Sequence, residues 1–384
     1  MNGFNPGDVV IQECMLGGAL GQVDVRARVH SFSVFEHILK PYTSIVMKVI
    51  DNADIINTNV GLDGTNTLKL SFSQPTQDPY VGNWTLTSVE KARNLQSQRT
   101  AVYTLVGYSN HMLKHPKVQK SYRDIPATSV AQDLITNFLG PNKPLVIGAP
   151  ARSTVGNKHM PYNVNGIGIH KAIRSVLLRA ASSVDESSAY LWFENQHSMI
   201  IDTLENLMGK VAGGPKYIQR PMGQNFAIDV ALQQFTILRL REENRTDQSD
   251  SVLYKKQATN TFDFFSNKFQ KGETNQATTY LNIPYNIMRP PTFAAQFLNK
   301  RKEVAGKFDS QSVTIEVALN PELTVGEGFA VDTLAPSGDT DLALPDLIAG
   351  NLLASEVRHT VNMTKERMQG TTTVKGVRGG LDGL

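Results

Sequence analysis

At 384 residues the chain is longer than one hydrophobic core usually serves, so about two or three domains are expected. Hydrophobic residues at 40% exclude bulk disorder, and 38 basic against 35 acidic side chains leave +3, which gives no support to a dedicated nucleic-acid binder. The single cysteine, Cys14, excludes an intrachain disulfide. Met1 to Val10 lacks the pattern of a secretory signal, and no run approaches the roughly 18–20 apolar residues of a membrane span, so a soluble protein is expected.

The first 110 residues alternate apolar and polar side chains in short runs, the signature of half-buried strands. The runs are Ile45 to Asp51, then Leu68, Leu70 and Phe72, then Trp84, Leu86 and Val89, then Val102 to Tyr108. Turn-forming clusters, Asn57 to Gly64 and Gln74 to Pro79, separate them. Next, Val130, Ala131, Leu134, Ile135, Phe138 and Leu139 fall on one helical stripe, with capping-box spacing at Ser129 and Gln132 and a stop at Gly140-Pro141. A second helix is predicted over Ile169 to Ser182, with Ile169, Ala172, Ile173, Val176, Leu177, Ala180 and Ala181 facing inward. A hairpin follows: Tyr190 to Phe193, a polar turn Glu194 to Ser198, then Met199 to Asp202. These elements make an α+β region from about 113 to 208. Beyond Gly209 the pattern weakens: Ala227 to Leu240 reads as one long strand or two, and Arg241 to Ser251 is polar and expected to be exposed. Alternation returns from Phe308, in Val313 to Leu319, Phe329 and Val331, Leu352 to Val357, and Thr371 to Val377.

The two β-rich ends resemble each other. Gly82-Asn83-Trp84-Thr85-Leu86-Thr87-Ser88 matches Gly350-Asn351-Leu352-Leu353-Ala354-Ser355, and a second alternating strand follows each, Thr100 to Tyr108 and Thr371 to Arg378. The offsets are 268 and 271 residues, so the intervening loops differ by three. A duplicated β unit with the α+β region between its copies accounts for this spacing.

No set of residues makes a convincing active site. His111 and His115 have the i, i+4 spacing of a zinc pair, but Met112 stands where a metalloprotease needs Glu, Lys114 and Lys117 repel a cation, and Pro116 ends any helix. Glu194 with Asp185, Glu186 or Asp202 is a conceivable acid/base pair for hydrolysis of a cell wall, but no matching acid or nucleophile motif surrounds it. In a hairpin turn, however, a solvated Glu194 is expected. Cys14 reads as a packed thiol, and Gly166-Ile167-Gly168 as a turn, since the third Gly of a dinucleotide site and its preceding strand are missing. Trp192 and Phe193 point to opposite faces of a strand, one to the core and the other available to an interface. Neither catalytic residues nor a metal or cofactor is expected.

Charge is unevenly distributed. Residues 113–182 hold ten Lys or Arg against two acids, and residues 320–357 hold seven acids and no base. Two readings stand: solvated faces, or functional surfaces, in which the basic α+β region meets an acidic neighbour or an acidic lumen repels passing DNA.

Several of these segments together resemble the hub family of contractile bacteriophage tails, related to the head of type VI secretion spike proteins. They are Ile169-His170-Lys171-Ala172-Ile173 through Tyr190-Leu191-Trp192-Phe193-Glu194-Asn195 to Asp202-Thr203-Leu204-Glu205-Asn206-Leu207; the helix introduced by Tyr122-Arg123-Asp124-Ile125; and Val325-Gly326-Glu327-Gly328-Phe329 with Ile348-Ala349-Gly350-Asn351-Leu352 and Ser355-Glu356-Val357-Arg358-His359. Residues 209–305 match nothing in the family.

The resemblance implies a β-rich multidomain fold, β plus α+β. The expected division is a first tube-like β-barrel domain (1–112), an inserted α+β domain (113–208), a connecting region that contributes strands to the tube-like domains (209–305) and a second tube-like domain (306–384). It implies a homotrimer at the baseplate of a virion, made in the host cytoplasm, which adapts a sixfold tail tube to a threefold central spike. The implied partners are the spike, the tail tube or its initiator, the tape measure protein and the baseplate wedge, with DNA only passing through the lumen. The alternatives are the hub-like head of a secretion or tailocin spike and, from another class, a tail-associated cell-wall hydrolase.

Overall fold

A computed structural model describes residues 7–75, 77–93, 100–152, 161–185, 187–219, 235–244, 308, 311–333, 350–364 and 367–378, and the backbone of 257–263, 268–271 and 279–283. The first part of the chain holds β1 (Val10–Gly18), β2 (Gly21–Asp24), β3 (Val29–His37), β4 (Ser44–Asp51), α1 (Ile55–Asn59), β5 (Thr67–Ser73), β6 (Tyr80–Arg93) and β7 (Ala101–Ser109). Then come β8 (Lys117–Tyr122), α2 (Ala127–Leu134), β9 (Leu145–Ile147), β10 (Tyr162–Gly168), α3 (Ile169–Leu177), β11 (Tyr190–Glu194), β12 (Met199–Thr203) and α4 (Leu204–Gly209). The last part holds β13 (Lys216–Gln219), β14 (Ile237–Asn244), β15 (Gln257–Asp263), β16 (Lys268–Lys271), β17 (Thr279–Ile283), β18 (Gln311–Ala318), β19 (Gly328–Thr333), β20 (Gly350–Met363) and β21 (Met368–Arg378).

One long sheet runs β14-β18-β21-β20-β3-β4-β7-β6-β5-β1-β2, with β19 and β13 branching from β20. Alternation gives each strand a core face and an open face. On β7, Ala101, Tyr103 and Leu105 are buried, while Val102, Thr104, Val106 and Tyr108 are half-exposed on the other side.

The sequence repeat has a structural counterpart. The sets β3-β4-β7-β6-β5 and β14-β18-β21-β20-β19 share the same neighbours and the same chain order. Their irregularities coincide. β6 is bulged between Leu86 and Ser88 opposite Gly107 and Val106, and β20 between Ala354 and Glu356 opposite Gly376 and Lys375. β3 is bulged between Val29 and Ser31, and β14 between Ile237 and Arg239. A bulge belongs to one register only, so Leu86 corresponds to Ala354 and Gly107 to Gly376, at offsets of 268 and 269 residues. The loops therefore differ by one residue; the expected difference of three came from matching Thr100 to Thr371, two positions out of register.

Two hydrophobic cores lie along this sheet, and they exchange residues. Leu319 and Val361 of the second unit pack into the first core with Phe32, Met47 and Phe72, while Ile38 at the end of β3 packs into the second with Phe329 and Val357. Among the described residues both 209–244 strands, β13 and β14, join the second unit. β15, β16 and β17 form a separate three-stranded sheet.

A third core belongs to the α+β region, where α2 and α3 pack Val130, Leu134, Ile173 and Val176 against Tyr162, Tyr190 and Ile201. β8 pairs with β10, and β9, β11 and β12 form a small sheet. The capping box is not formed. Pro126 stands at the N-cap of α2 and Ser129 lies inside the first turn, because Thr128 is helical and its hydroxyl is taken by the Ala151 N–H at 3.1 Å. After a π-turn over Ile135–Leu139 the helix stops at Gly140, as expected, in the left-handed region at φ 53°. α3 ends at Leu177, short of Ser182, whose hydroxyl instead accepts the Val184 N–H at 3.0 Å. All seven residues expected to face inward on this segment are buried. Residues 220–234 lie outside the described residues, and β14 carries the strand on to Asn244, through Arg241 and Glu242, which are exposed.

Candidate functional site

The hairpin turn after β11 is wedged where both β units and the α+β region meet. Glu194 ends β11 with its side chain buried, contrary to the solvated state expected of a turn. Ser109 Oγ–H donates to Glu194 Oε2 at 2.5 Å, the Thr43 N–H donates to the same oxygen at 3.1 Å, and Lys143 Nζ lies 2.9 Å from Oε1. The network extends through Thr43, whose hydroxyl accepts from Trp84 Nε1–H at 3.0 Å. The turn itself is tied on all sides. Asn195 Oδ1 accepts the N–H groups of His197 (2.9 Å) and Ser198 (2.8 Å), Lys143 donates to the Asn195 carbonyl at 2.6 Å, and Gln196 Nε2 donates to the Pro79 carbonyl at 3.1 Å.

A second carboxylate sits in the same seam. Glu36 of β3 accepts from Tyr80 O–H at 3.0 Å, from the Val325 N–H at 3.1 Å and from the Thr324 hydroxyl, which joins the first unit to the loop before β19. Burial pushes its carboxyl above the ordinary value, and the hydrogen bonds oppose that shift. His359 of β20 is buried against Tyr80 and Phe72, with centroid separations of 5.5 and 6.2 Å, and burial lowers its imidazole to about 3. Gly326, at φ 85°, leaves room for Phe193: a Cβ there would meet the ring at 2.7 Å. Buried charged groups fully supplied with partners fix geometry. Through Glu194, Lys143 and Glu36 this junction ties the two β units to the α+β region.

Of the other candidates, His111 comes within 3.8 Å of Glu194 Oε2 through its Nε2, and the rest lie apart from it. His111 lies in a 3-10 turn, is buried, and donates from Nε2 to the Pro41 carbonyl at 2.6 Å, whereas His115 is exposed beside His170 at 5.4 Å. The helix that would align the pair is absent. Asp185 accepts from the Ser187 N–H at 3.1 Å and from the Thr203 hydroxyl. Asp202 accepts from Asn206 at 2.7 Å and pairs with Lys210 at 3.1 Å, and Glu186 lies outside the described residues. Cys14 is buried against Met47, and burial pushes its thiol up to about 12. Gly166 occupies the bulge of β10 at φ 66°. Phe193 is the core residue of its pair; Trp192 is half-buried and stacks on His170 at 5.7 Å.

Of the uneven charges, Lys143 is consumed by Glu194, Lys120 by Asp133 at 2.7 Å and Asp332 by Lys216 at 2.8 Å, while Asp339, Asp341 and Asp346 lie outside the described residues. The open face of the long sheet is rich in hydroxyls, with Ser31, Ser33, Ser44, Thr104, Thr314, Thr360, Thr371 and Thr373. Lys48, Arg239, Arg358 and Lys375 stand there beside Glu90, Glu316 and Glu356, so the described part of the face is mixed in charge.

Two strand edges carry the remaining functional geometry. In β20 the segment Glu356–Asn362 pairs on one side with β21 and on the other with β3. Among the described residues the corresponding segment of β6, Ser88–Arg93, pairs with β7 alone. Likewise β3 is paired on both sides, while among the described residues its counterpart β14 is laddered to β18 alone, apart from an isolated bridge between Ile218 of β13 and Thr236 just before it. Sequence reasoning missed these edges because an edge strand and a central strand have the same periodicity.

Two similar β units, joined edge to edge around an α+β segment, make a fold that is shared with solved tail proteins. The tail protein from Neisseria meningitidis MC58 has the same fold at 9% identity and a TM-score of 0.59, over 96% of this chain and 97% of that one. The 43 kDa tail protein of prophage MuSo2 from Shewanella oneidensis gives 9% identity and 0.55, over 96% and 98%. A chain of the Francisella PdpA-VgrG complex gives 8% and 0.51 over 96% of this chain, which spans 58% of that one. No protein-family model and no curated protein matches the sequence.

Proposed function

We propose that the chain is a structural hub of a phage-type tail baseplate, closing as a homotrimeric ring in which β6 of each copy pairs with β14 of the next. The observation that carries this reading is the mismatch between the seam inside the chain and the two edges outside it. The β20–β3 seam joins the second unit to the first; the same joint between β6 and β14 would join the first unit of one copy to the second of another. Three copies then give six similar units in one ring, which fits a sixfold tube on one side and a threefold spike on the other. Closure also consumes strand edges that would otherwise template aggregation. The hydroxyl-rich open face would line the channel through which DNA passes. The role is mechanical and asks for no catalytic residue.

The register of the intrachain seam predicts the contact. Thr360 pairs with Ser33, and their counterparts are Ala92 and Arg241. Opposed Cβ atoms in such pairs lie about 4.5–5.5 Å apart, near enough for a disulfide. Ala92→Cys with Arg241→Cys should give dimers and then a terminal band at three chain masses on non-reducing gels, with buried Cys14 silent. Ala92→Cys with Arg239→Cys should give none. Absence of cross-linking in the matched pair, or a ladder continuing past three, overturns the ring.

A further inference from the structure

The seam inside the chain and the proposed seam between chains differ on their core side. Inside the chain, Val357, His359 and Val361 of β20 meet Phe32, Val34 and Glu36 of β3, and all six are buried. The counterpart of His359 is Lys91: His359 stands opposite Thr372 and bonds to its hydroxyl at 3.0 Å, and Lys91 stands opposite Tyr103 and lies over its ring at 5.1 Å. The counterpart of Val34 is Glu242. Val34 is opposite Ile45 and Glu242 opposite Val313, and these two occupy the places facing Gly107 and Gly376. His359 and Val34 are cross-strand partners. A buried imidazole and a valine are thus replaced, at one register position, by a cation and an exposed anion.

We infer that Lys91 of one copy pairs with Glu242 of the next, and that this pair makes ring closure reversible and salt-sensitive while the intrachain seam is permanent. The inference rests on the ring reading above and assigns its regulation. Lys91 already holds Asp54 at 3.1 Å, so its ammonium is anchored at the edge with donors left for a second carboxylate. An inward charge on an edge strand also guards against wrong pairing. That protective role needs no opposite charge at the matched position.

The test is sedimentation of the full chain at low and high salt. Wild type is expected to be trimeric at low salt and to dissociate as salt rises. Lys91→Glu and Glu242→Lys should each weaken association at least about tenfold through like charges directly opposed, and the double exchange should restore it. Asp54→Asn, which removes only the intrachain partner, should leave the trimer in place, and unchanged melting of the monomers excludes misfolding. A wild-type trimer indifferent to salt and to both single reversals overturns this inference and leaves the ring standing. A wild type that neither sediments as a trimer nor cross-links through Ala92→Cys and Arg241→Cys overturns the ring reading itself.

Discussion

Glu194 and Lys143 are the residues on which the three-way junction depends. Their ion pair is almost closed to water, the Glu194 side chain being 5% and the Lys143 side chain 18% exposed, so it differs from a surface pair worth little. Removing one partner of such a pair leaves the other buried and uncompensated. Glu194→Gln is expected to destabilise the chain by about 3 kcal/mol and Lys143→Met by a similar amount, with the double variant clearly less damaged than the sum. Chemical denaturation of the four proteins reads the coupling directly. A surface pair would show coupling below about 1 kcal/mol.

At the scale of elements, the bulges and glycines do what the hydrophobic pattern cannot. Gly107 and Gly376 are counterparts, but their surroundings differ. A Cβ on Gly376 would meet Phe329 Cζ at 2.5 Å and Leu352 Cβ at 2.8 Å, whereas on Gly107 the nearest atom is Trp84 Cβ at 3.0 Å. Gly376→Ala should therefore cost about 2 kcal/mol by overpacking, and Gly107→Ala distinctly less. Equal melting shifts for the two would show that the units do not pack as described. Strands β4 to β7, β18, β20 and β21 were legible in the sequence, as were the Tyr190–Ser198 hairpin and the inward stripe of α3, whereas β1 to β3 and β8 to β10 were not singled out. Helix ends were read less well: Pro126 rather than Ser129 stands at the N-cap of α2, and Ser182 caps the turn that follows α3 by accepting the Val184 N–H.

Across the whole molecule, His359 makes the seam sensitive to acid. Its folded-state value of about 3 lies below the ordinary 6.5, so the unfolded chain binds the proton first as pH falls. The stability it contributes is whole above pH 6.5 and is lost toward pH 3, at up to about 1.4 kcal/mol per pH unit. Glu36, shifted upward by burial, has the opposite sign. Comparing wild type with His359→Leu between pH 7 and pH 4.5 isolates the histidine: the variant should lose less stability on acidification. Identical slopes would refute the assignment.

The sequence by itself determined that the protein is β-rich, that its ends are related and that an α+β segment lies between them. These follow from periodicities and spacings that survive wherever a strand is later placed. Only the tertiary structure decided that Glu194 is buried, that His111 and His115 part company and that the copies are aligned to within one residue. It also decided which strands are left with an open edge. All of these depend on which segments distant in sequence come to lie side by side, and a pattern of alternating side chains is the same on a strand with two neighbours as on a strand with one.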